Sequence, residues 1–367
     1  MAERSLHRLR AAAILALPLV TWLPLLILSA IDGKLLPKTV TTPFLVDLSA
    51  HVRFLVALPL FLIAGLVAAA RMMPTLRQFL ARELVPEESI GRFNDAISSA
   101  LRLGDSVVAD LVIIVLIYIF DAIVVRRSYD AVTAWHSMPG ANGVTLTPAG
   151  FCFLYVSLPI FEFVLLRWYY RLFIWGRFLA QVSRLKLRLV PTNPDRVGGL
   201  GFLLLGTQAF TVFAMAQGAQ LTAWLAARVL VKGTSLAEFK AEIVLVLIFV
   251  LCITIGPLLV FTRMLARAKR RGVFEYGALA SRYAREFDDK WVRAKQTCEE
   301  PLVGSADVQS LADMGGSYDL VQSMRTLPFT PQMIISFCVV TLVPVAPLLL
   351  TLMPLSDILK KLVSIVF

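Results

Sequence analysis

Apolar runs near residues 11–31, 54–73, 105–125, 149–174, 201–227, 240–263 and 330–353 each reach the roughly 18–20 residues at which a helix crosses the hydrocarbon core of a bilayer. In that core a backbone amide has no water to bond. Each run must therefore satisfy its own hydrogen bonds, as a helix does. The runs predict an all-α, polytopic membrane protein of six to seven transmembrane helices, forming one transmembrane domain over residues 1–367. Composition agrees: mean hydropathy is +0.75 and charged residues are 17% of the chain, against about a quarter in ordinary globular proteins.

The net charge of +11 could point to nucleic acid, but the basic residues fall between the apolar runs, where topology puts them. With the N-terminus inside, 26 of the 36 Lys and Arg residues lie on the inner side, in the N-terminal tail and from Arg71 to Arg102, Arg167 to Arg196 and Arg263 to Arg325. That asymmetry predicts a cytoplasmic N-terminus in a cell inner (plasma) membrane and excludes nucleic acid as a partner. The opening MAERSLHRLR resembles a signal-peptide head, yet the following apolar stretch is too long and lacks a small-residue cleavage site, so it reads as a retained anchor. The final PLSDILKKLVSIVF fits an interfacial amphipathic helix or a continuation of the last span.

Two inner segments are long enough to fold. In residues 74–104, Ile90, Phe93, Ile97 and Leu101 recur at helical spacing while Glu87, Glu88, Asp95 and Arg102 avoid that face, the pattern of an amphipathic helix. Residues 264–328 form a small helical cytoplasmic cap, in which Gly315 and Gly316 are expected to end one helix before another begins. No Walker, HExxH or GxSxG pattern occurs, which argues against soluble-type enzymology. Cys152, Cys252, Cys298 and Cys338 form no CxxC, and His7, His51 and His136 lie in three separate flanks. No metal site or cofactor is expected.

The most unusual stretch is VPTNPDRVGGLGFLLLG, residues 190–206. Its glycines are not spaced as GxGxxG and no βαβ pattern surrounds them, so a phosphate loop is excluded. Pro191 and Pro194 stop the preceding helix, Asp195 is expected to be the N-cap of the fifth span, and Gly198, Gly199 and Gly201 permit close backbone approach. Asn193 and Arg196 complete a candidate loop or gate. With FEYGALASRYAREF and EEPLVGSADVQSLADM, this loop resembles a family of bacterial multi-pass inner-membrane proteins carrying a His-Pro-Asp-Arg-x-Gly-Gly-Leu-Gly-Phe type loop. The likeness covers roughly the second half of the chain, with Asn193 where that pattern has His, and implies no activity, cofactor or partner.

Charged groups inside spans cost several kcal/mol unless paired, protonated or hydrated, and so mark candidate sites. Asp110 and Asp121 are eleven residues apart, about three turns, and share one helix face. Tyr155, Glu162 and Tyr169 are spaced by seven and share another. Glu162 lies far from either polar end, and Arg167, five residues on, is about 140° away around the helix, so Glu162 needs a partner from another span or water. Gln208, Thr211, Gly218 and Thr222 make a polar stripe on the fifth span, as helix-packing residues or a pore lining would. These faces are expected to converge on a central hydrated space. The best-supported function is a channel or transporter for an ion or small polar solute. The alternative is a non-transporting assembly protein docking a partner through its cytoplasmic helices, and a membrane-embedded enzyme lacks the clustered site it would need. Beyond the bilayer, the partners such a chain admits are a solute or ion and further copies of itself.

The charge asymmetry yields a direct test. Cysteine introduced as Ser183→Cys or Ser305→Cys is expected to resist membrane-impermeant thiol reagents applied outside intact cells; labelling of either position from outside would overturn the topology.

Overall fold

The computed structural model describes residues 2–36, 40, 42–128, 134–140, 143–231, 234–293 and 304–349. The segment 354–367, the end of the last apolar run and Cys298 lie outside them. The described residues are mainly helical, with one short hairpin among them, β1 (Ser137–Gly140) with β2 (Gly143–Leu146). Among the described residues four helices are long and apolar enough to cross a membrane: α2 (Leu48–Ala81), α5 (Pro148–Val182), α6 (Phe202–Val229) and α10 (Pro331–Leu348). Two bent pairs raise the number to six if each is one span. The first is α3 (Glu87–Gly104) with α4 (Val107–Ser128), bent by 44°; the second is α7 (Leu236–Thr254) with α8 (Thr262–Phe287), bent by 49° across a 3-10 turn containing Pro257. In α1 (Ala2–Ile31) the apolar part, Ala16–Ile31, falls short of that length. Among the described residues there are thus four to six candidate spans, meeting the expected six to seven only at its lower end and not confirming seven, because apolar runs do not report how helices bend or how long their uncharged part is.

The prolines explain a regularity invisible in hydropathy. A proline within a helix lacks its own donor and clashes with the carbonyl four residues back. In α2 and α5 a π-helical turn, Val52–Ala57 and Phe153–Ser157, stands immediately before Leu58-Pro59 and Leu158-Pro159; the wider turn carries that carbonyl away from the ring. The two spans correspond at an offset of one hundred residues: Val56, Leu58, Pro59 and Phe61 match Val156, Leu158, Pro159 and Phe161. Asp47 and Thr147 are corresponding caps, accepting from the amides of Ala50 and Gly150. The likeness extends to Leu84-Val85-Pro86 and Leu189-Val190-Pro191 beyond the two spans. There the Arg188 amide donates to the Leu84 carbonyl at 2.8 Å.

Helix α6 is the central element, packed against α2 and α10. Its Ala214, Ala216, Gly218, Ala219, Ala223 and Ala226 are buried, small residues that let backbones approach closely. At Gly218 a side chain would run into the Thr341 carbonyl of α10. Polar contacts fasten the other spans: the Trp168 indole donates to the Phe61 carbonyl at 2.9 Å and the Ser157 hydroxyl to the Thr21 carbonyl at 2.7 Å.

On one side of the bundle, α8 packs against α9 (Ala306–Gln322). The single helix α9 runs straight through Gly315 and Gly316, correcting the expected break: neither glycine takes a positive φ, and a glycine ends a helix only when it does. The pair is clasped where Asp307 accepts from Lys290 at 2.7 Å and from the Trp291 indole at 3.0 Å, bonds that hold the Asp307 carboxyl below the ordinary carboxylate range. On the opposite side Trp135 is enclosed by Phe44, His136 and Phe153, its indole donating to Asp47 at 2.9 Å. His51 meets Phe44 edge to face from another direction, so two histidines from separate flanks meet on one aromatic cluster. Burial pushes the His136 imidazole below its ordinary value, with Asp47 opposing.

If Gly218 sets the approach of α6 to α10, Gly218→Val is expected to destabilise the detergent-solubilised protein by about 1–3 kcal/mol, the usual cost of overpacking, read as a lower midpoint of thermal unfolding. An unchanged midpoint would show that the two helices separate freely.

Candidate functional site

The ionisable residues of the spans resolve into two groups at different levels of α4 and α5. At the first level Asp110 of α4 pairs with Arg167 of α5 at 2.9 Å, and Arg167 also donates to the Gly104 carbonyl at the α3–α4 bend. Arg167 points away from Glu162, as the angle around the helix requires. At the second level the Glu162 and Asp121 carboxyl groups approach each other, with the Arg53 guanidinium of α2 in electrostatic range of Glu162. Asp121 is only 7% exposed and, among the described residues, its Oδ2 faces no protein donor. Arg53 also feels Asp47, the acceptor of the Trp135 indole. A string of charges, Asp47, Arg53, Glu162 and Asp121, thus runs from the aromatic cluster into the bundle. Tyr118, one turn before Asp121, donates to the Tyr155 carbonyl at 3.2 Å.

The expected convergence of three polar faces on one central space does not occur. Helix α4 packs chiefly against α5, whereas α6 packs chiefly against α2 and α10 and meets α5 through Phe213 and Gln217. Gln208 is exposed, and Thr211 turns its hydroxyl back to the Gln208 carbonyl at 2.9 Å. The buried amide of α6 is instead Gln217, donating to the Tyr169 hydroxyl at 2.9 Å. Thr222 bonds its own helix at the Gly218 carbonyl. The stripe on α6 is helix packing with one polar bridge.

The 190–206 loop is also built differently from expectation. Asp195 is not the N-cap of α6, whose cap position is Gly201. Asp195 instead organises the turn ahead of the helix. Its Oδ1 accepts from the amides of Val197 at 2.9 Å and Gly199 at 3.0 Å, and its Oδ2 from Gly201 at 2.8 Å, while the Asn193 side chain accepts from the Asp195 amide at 3.2 Å. Closing so tight a ring requires positive φ at Arg196 (58°), Gly198 (66°) and Gly199 (102°). At Gly199 and Gly201 a side chain would strike Leu84 and Asp195. The outer surface of the ring fastens its neighbours: Arg82 of the α2–α3 connection donates to the Gly199 carbonyl at 3.3 Å, and beyond α9 the Arg325 amide donates to the Arg196 carbonyl at 2.7 Å. Gly272 of α8 lies against Pro191 and Val321. Val197 and Leu200 are fully buried. The loop is a fastening for the α8–α9 pair and not an open gate.

Arg53, Arg82, Gln217 and Arg325 were not singled out by sequence reasoning. Arg53 was visible as a cation at the edge of an apolar run; the other three carry no local signal. Among the described residues no group of His, Cys, Asp and Glu could hold a metal ion. Comparison with protein-family models, curated proteins and solved structures returns no match, so the resemblance of the 193–202 loop rests on its own residues.

Because both Asp195 oxygens accept backbone amides, Asp195→Asn cannot reproduce the ring: its NH2 group must face an N–H donor. Both Asp195→Ala and Asp195→Asn are expected to lower stability, by about 2–4 kcal/mol for hydrogen bonds to a charged acceptor, and to increase proteolysis of the α8–α9 connection. A stable Asp195→Asn protein would show that a single accepting oxygen suffices.

Proposed function

We propose that this chain is an integral membrane transport protein for an ion or small polar solute, and that the Asp121–Glu162 pair with Arg53 is its protonation-dependent element. The observation that carries the reading is the approach of two carboxyl groups from different spans inside an apolar bundle. Two like charges brought close together repel strongly where the dielectric is low. A single shared proton is the stable arrangement, leaving one carboxylate opposite Arg53. Loss of the proton favours separation of α4 from α5 or uptake of a cation, so occupancy and helix contact are linked. The correspondence between α2 and α5 supports the reading, since many carriers are built from internal repeats. In this proposal the α8–α9 side is cytoplasmic, in the inner membrane, and the Asp195 ring holds the moving helices to that side.

The exposed Phe274 and Leu279 on α8 favour a second reading, in which the α8–α9 pair docks a partner and the carboxyl pair only joins helices.

Glu162→Gln distinguishes the two. The amide is nearly isosteric and donates to Asp121 in place of the shared proton, so the transport reading expects an intact unfolding midpoint with flux in proteoliposomes that no longer varies with pH. Removing a carboxylate that faces a half-buried arginine leaves that charge poorly compensated, so the structural reading expects a lowered midpoint. Wild-type proteoliposomes showing no pH-dependent ion or solute flux beyond protein-free vesicles would reject transport.

A further inference from the structure

Helix α3 carries a polar stripe that takes no part in its packing. Arg92, Asp95, Ser99 and Arg102 recur at spacings of three, four and three and so share one side of the helix, turned away from Phe93, which packs against Phe178 of α5 at 6.1 Å. Gln181 in the last turn of α5 and Arg184 just beyond it stand beside the stripe, and a cleft of about 400 Å³ lies between them. Buried Ala96 and Leu185 complete its lining. From its charge and size we infer that this cleft binds a small water-soluble phosphate monoester, with the phosphate held by the guanidinium groups of Arg92, Arg102 and Arg184.

Charge, chemistry and depth select that ligand. Three guanidinium groups share the cleft with one carboxylate, and among the described residues none of the four has an ion-pair partner. Arg92 donates to the Ser89 hydroxyl at 3.1 Å, a neutral acceptor that leaves its charge uncompensated. The surplus of two positive charges matches a phosphate monoester, which carries about −1.5 to −2 at pH 7, and exceeds what a phosphodiester or a single carboxylate would neutralise. Guanidinium groups also meet phosphate oxygens in pairs. Asp95 repels the phosphate and can accept only from a neutral donor, so the remainder of the ester needs a hydroxyl group, with Ser99 and Gln181 as further neutral partners. The volume falls in the range of small-molecule sites, about 300–1,000 Å³. Gln181 comes thirty-three residues after Pro148, the first residue of α5. At about 1.5 Å per residue it stands about 50 Å along the helix, beyond the ~40–45 Å of a whole bilayer. The cleft therefore lies past the level of lipid phosphates, where ligands arrive from water. It is separate from the Asp121–Glu162 pair, and neither proposal depends on the other.

The test titrates the purified full chain, in non-ionic detergent at constant ionic strength, with glycerol 3-phosphate and follows binding by calorimetry. Saturable binding is expected, and none with glycerol. Arg102→Gln and Arg184→Gln should each weaken it roughly tenfold, the scale of one charge-assisted contact, while Lys186→Gln, outside the cleft, should leave it unchanged. Asp95→Asn should strengthen it severalfold by removing the one opposing charge. All four positions are exposed, so unchanged unfolding midpoints are expected to accompany these shifts. Absence of saturable binding, an affinity unchanged in both arginine variants, or a weaker one in Asp95→Asn overturns the proposal. So does tighter binding of short-chain phosphatidic acid that is lost in Arg184→Gln, which would identify a lipid headgroup, or of inorganic phosphate, which would identify a free-anion site.

Discussion

Inside hydrocarbon every backbone donor and acceptor must find its partner within the protein, and this constraint orders the molecule from its longest spans to its smallest loop. Where Pro59 and Pro159 interrupt the helical pattern, π-helical turns absorb the displaced carbonyls and the spans continue. Where the chain must turn sharply before α6, the Asp195 carboxylate collects three amides that the turn would otherwise leave unpaired. The same need that makes the spans helical thus makes one acidic loop residue a structural centre. Its ring fixes the position of the α2–α3 connection and of the segment following α9.

How much of this was legible in the sequence depended on the range of the interaction. Apolar runs and their flanking charges are local, and they disclosed a helical membrane protein and its amphipathic α3. The angle between Glu162 and Arg167 is also local geometry, and it separated the two groups correctly. The partners themselves are not local. Nothing near Glu162 names Asp121, forty-one residues away, and the buried amide of α6 turned out to be Gln217 and not Gln208, because which face of an almost uniformly apolar helix is inward is decided by its neighbours. The stripe pattern fails on such a helix, since small residues satisfy several faces equally. Gly315 and Gly316 misled for a different reason: glycine permits a helix end, but a helix stops there only if the backbone takes the left-handed turn.

The correspondence between α2 and α5 was legible in principle, since V-x-L-P-x-F recurs with LVP beyond each span. It escapes hydropathy reading because both copies lie in runs already explained as membrane spans. Its structural meaning appears only when the paired caps, Asp47 and Thr147, and the paired π-helical turns are compared. The copies have diverged where chemistry is concentrated: Arg53 stands in the first π-helical turn and Phe153 at the matching position of the second, while Glu162 follows the second Pro-x-Phe and Leu62 the first. One half supplies the cation and the other the carboxyl group. Neither repeat alone holds the charge cluster, which exists only where the two pack together.

Helix α4 is where these charges matter most. Val108, Leu111, Val112, Val115, Leu116, Ile119 and Phe120 are exposed, so most of its circumference is an open apolar surface, and its seating depends on the stripe formed by Asp110, Ile113, Ile117 and Asp121. The two isoleucines pack as they would against any apolar neighbour and give little choice of register. The carboxyl groups at either end do give a choice, Asp110 through Arg167 and Asp121 through Glu162. One end is an ion pair, whereas the other brings together two acids, whose like charges repel if both are ionised. The peripheral helix α4 is therefore seated by two polar contacts of different kinds, an ion pair at Asp110 and an approach of two carboxyl groups at Asp121, and the proposed protonation-dependent role belongs to the second alone.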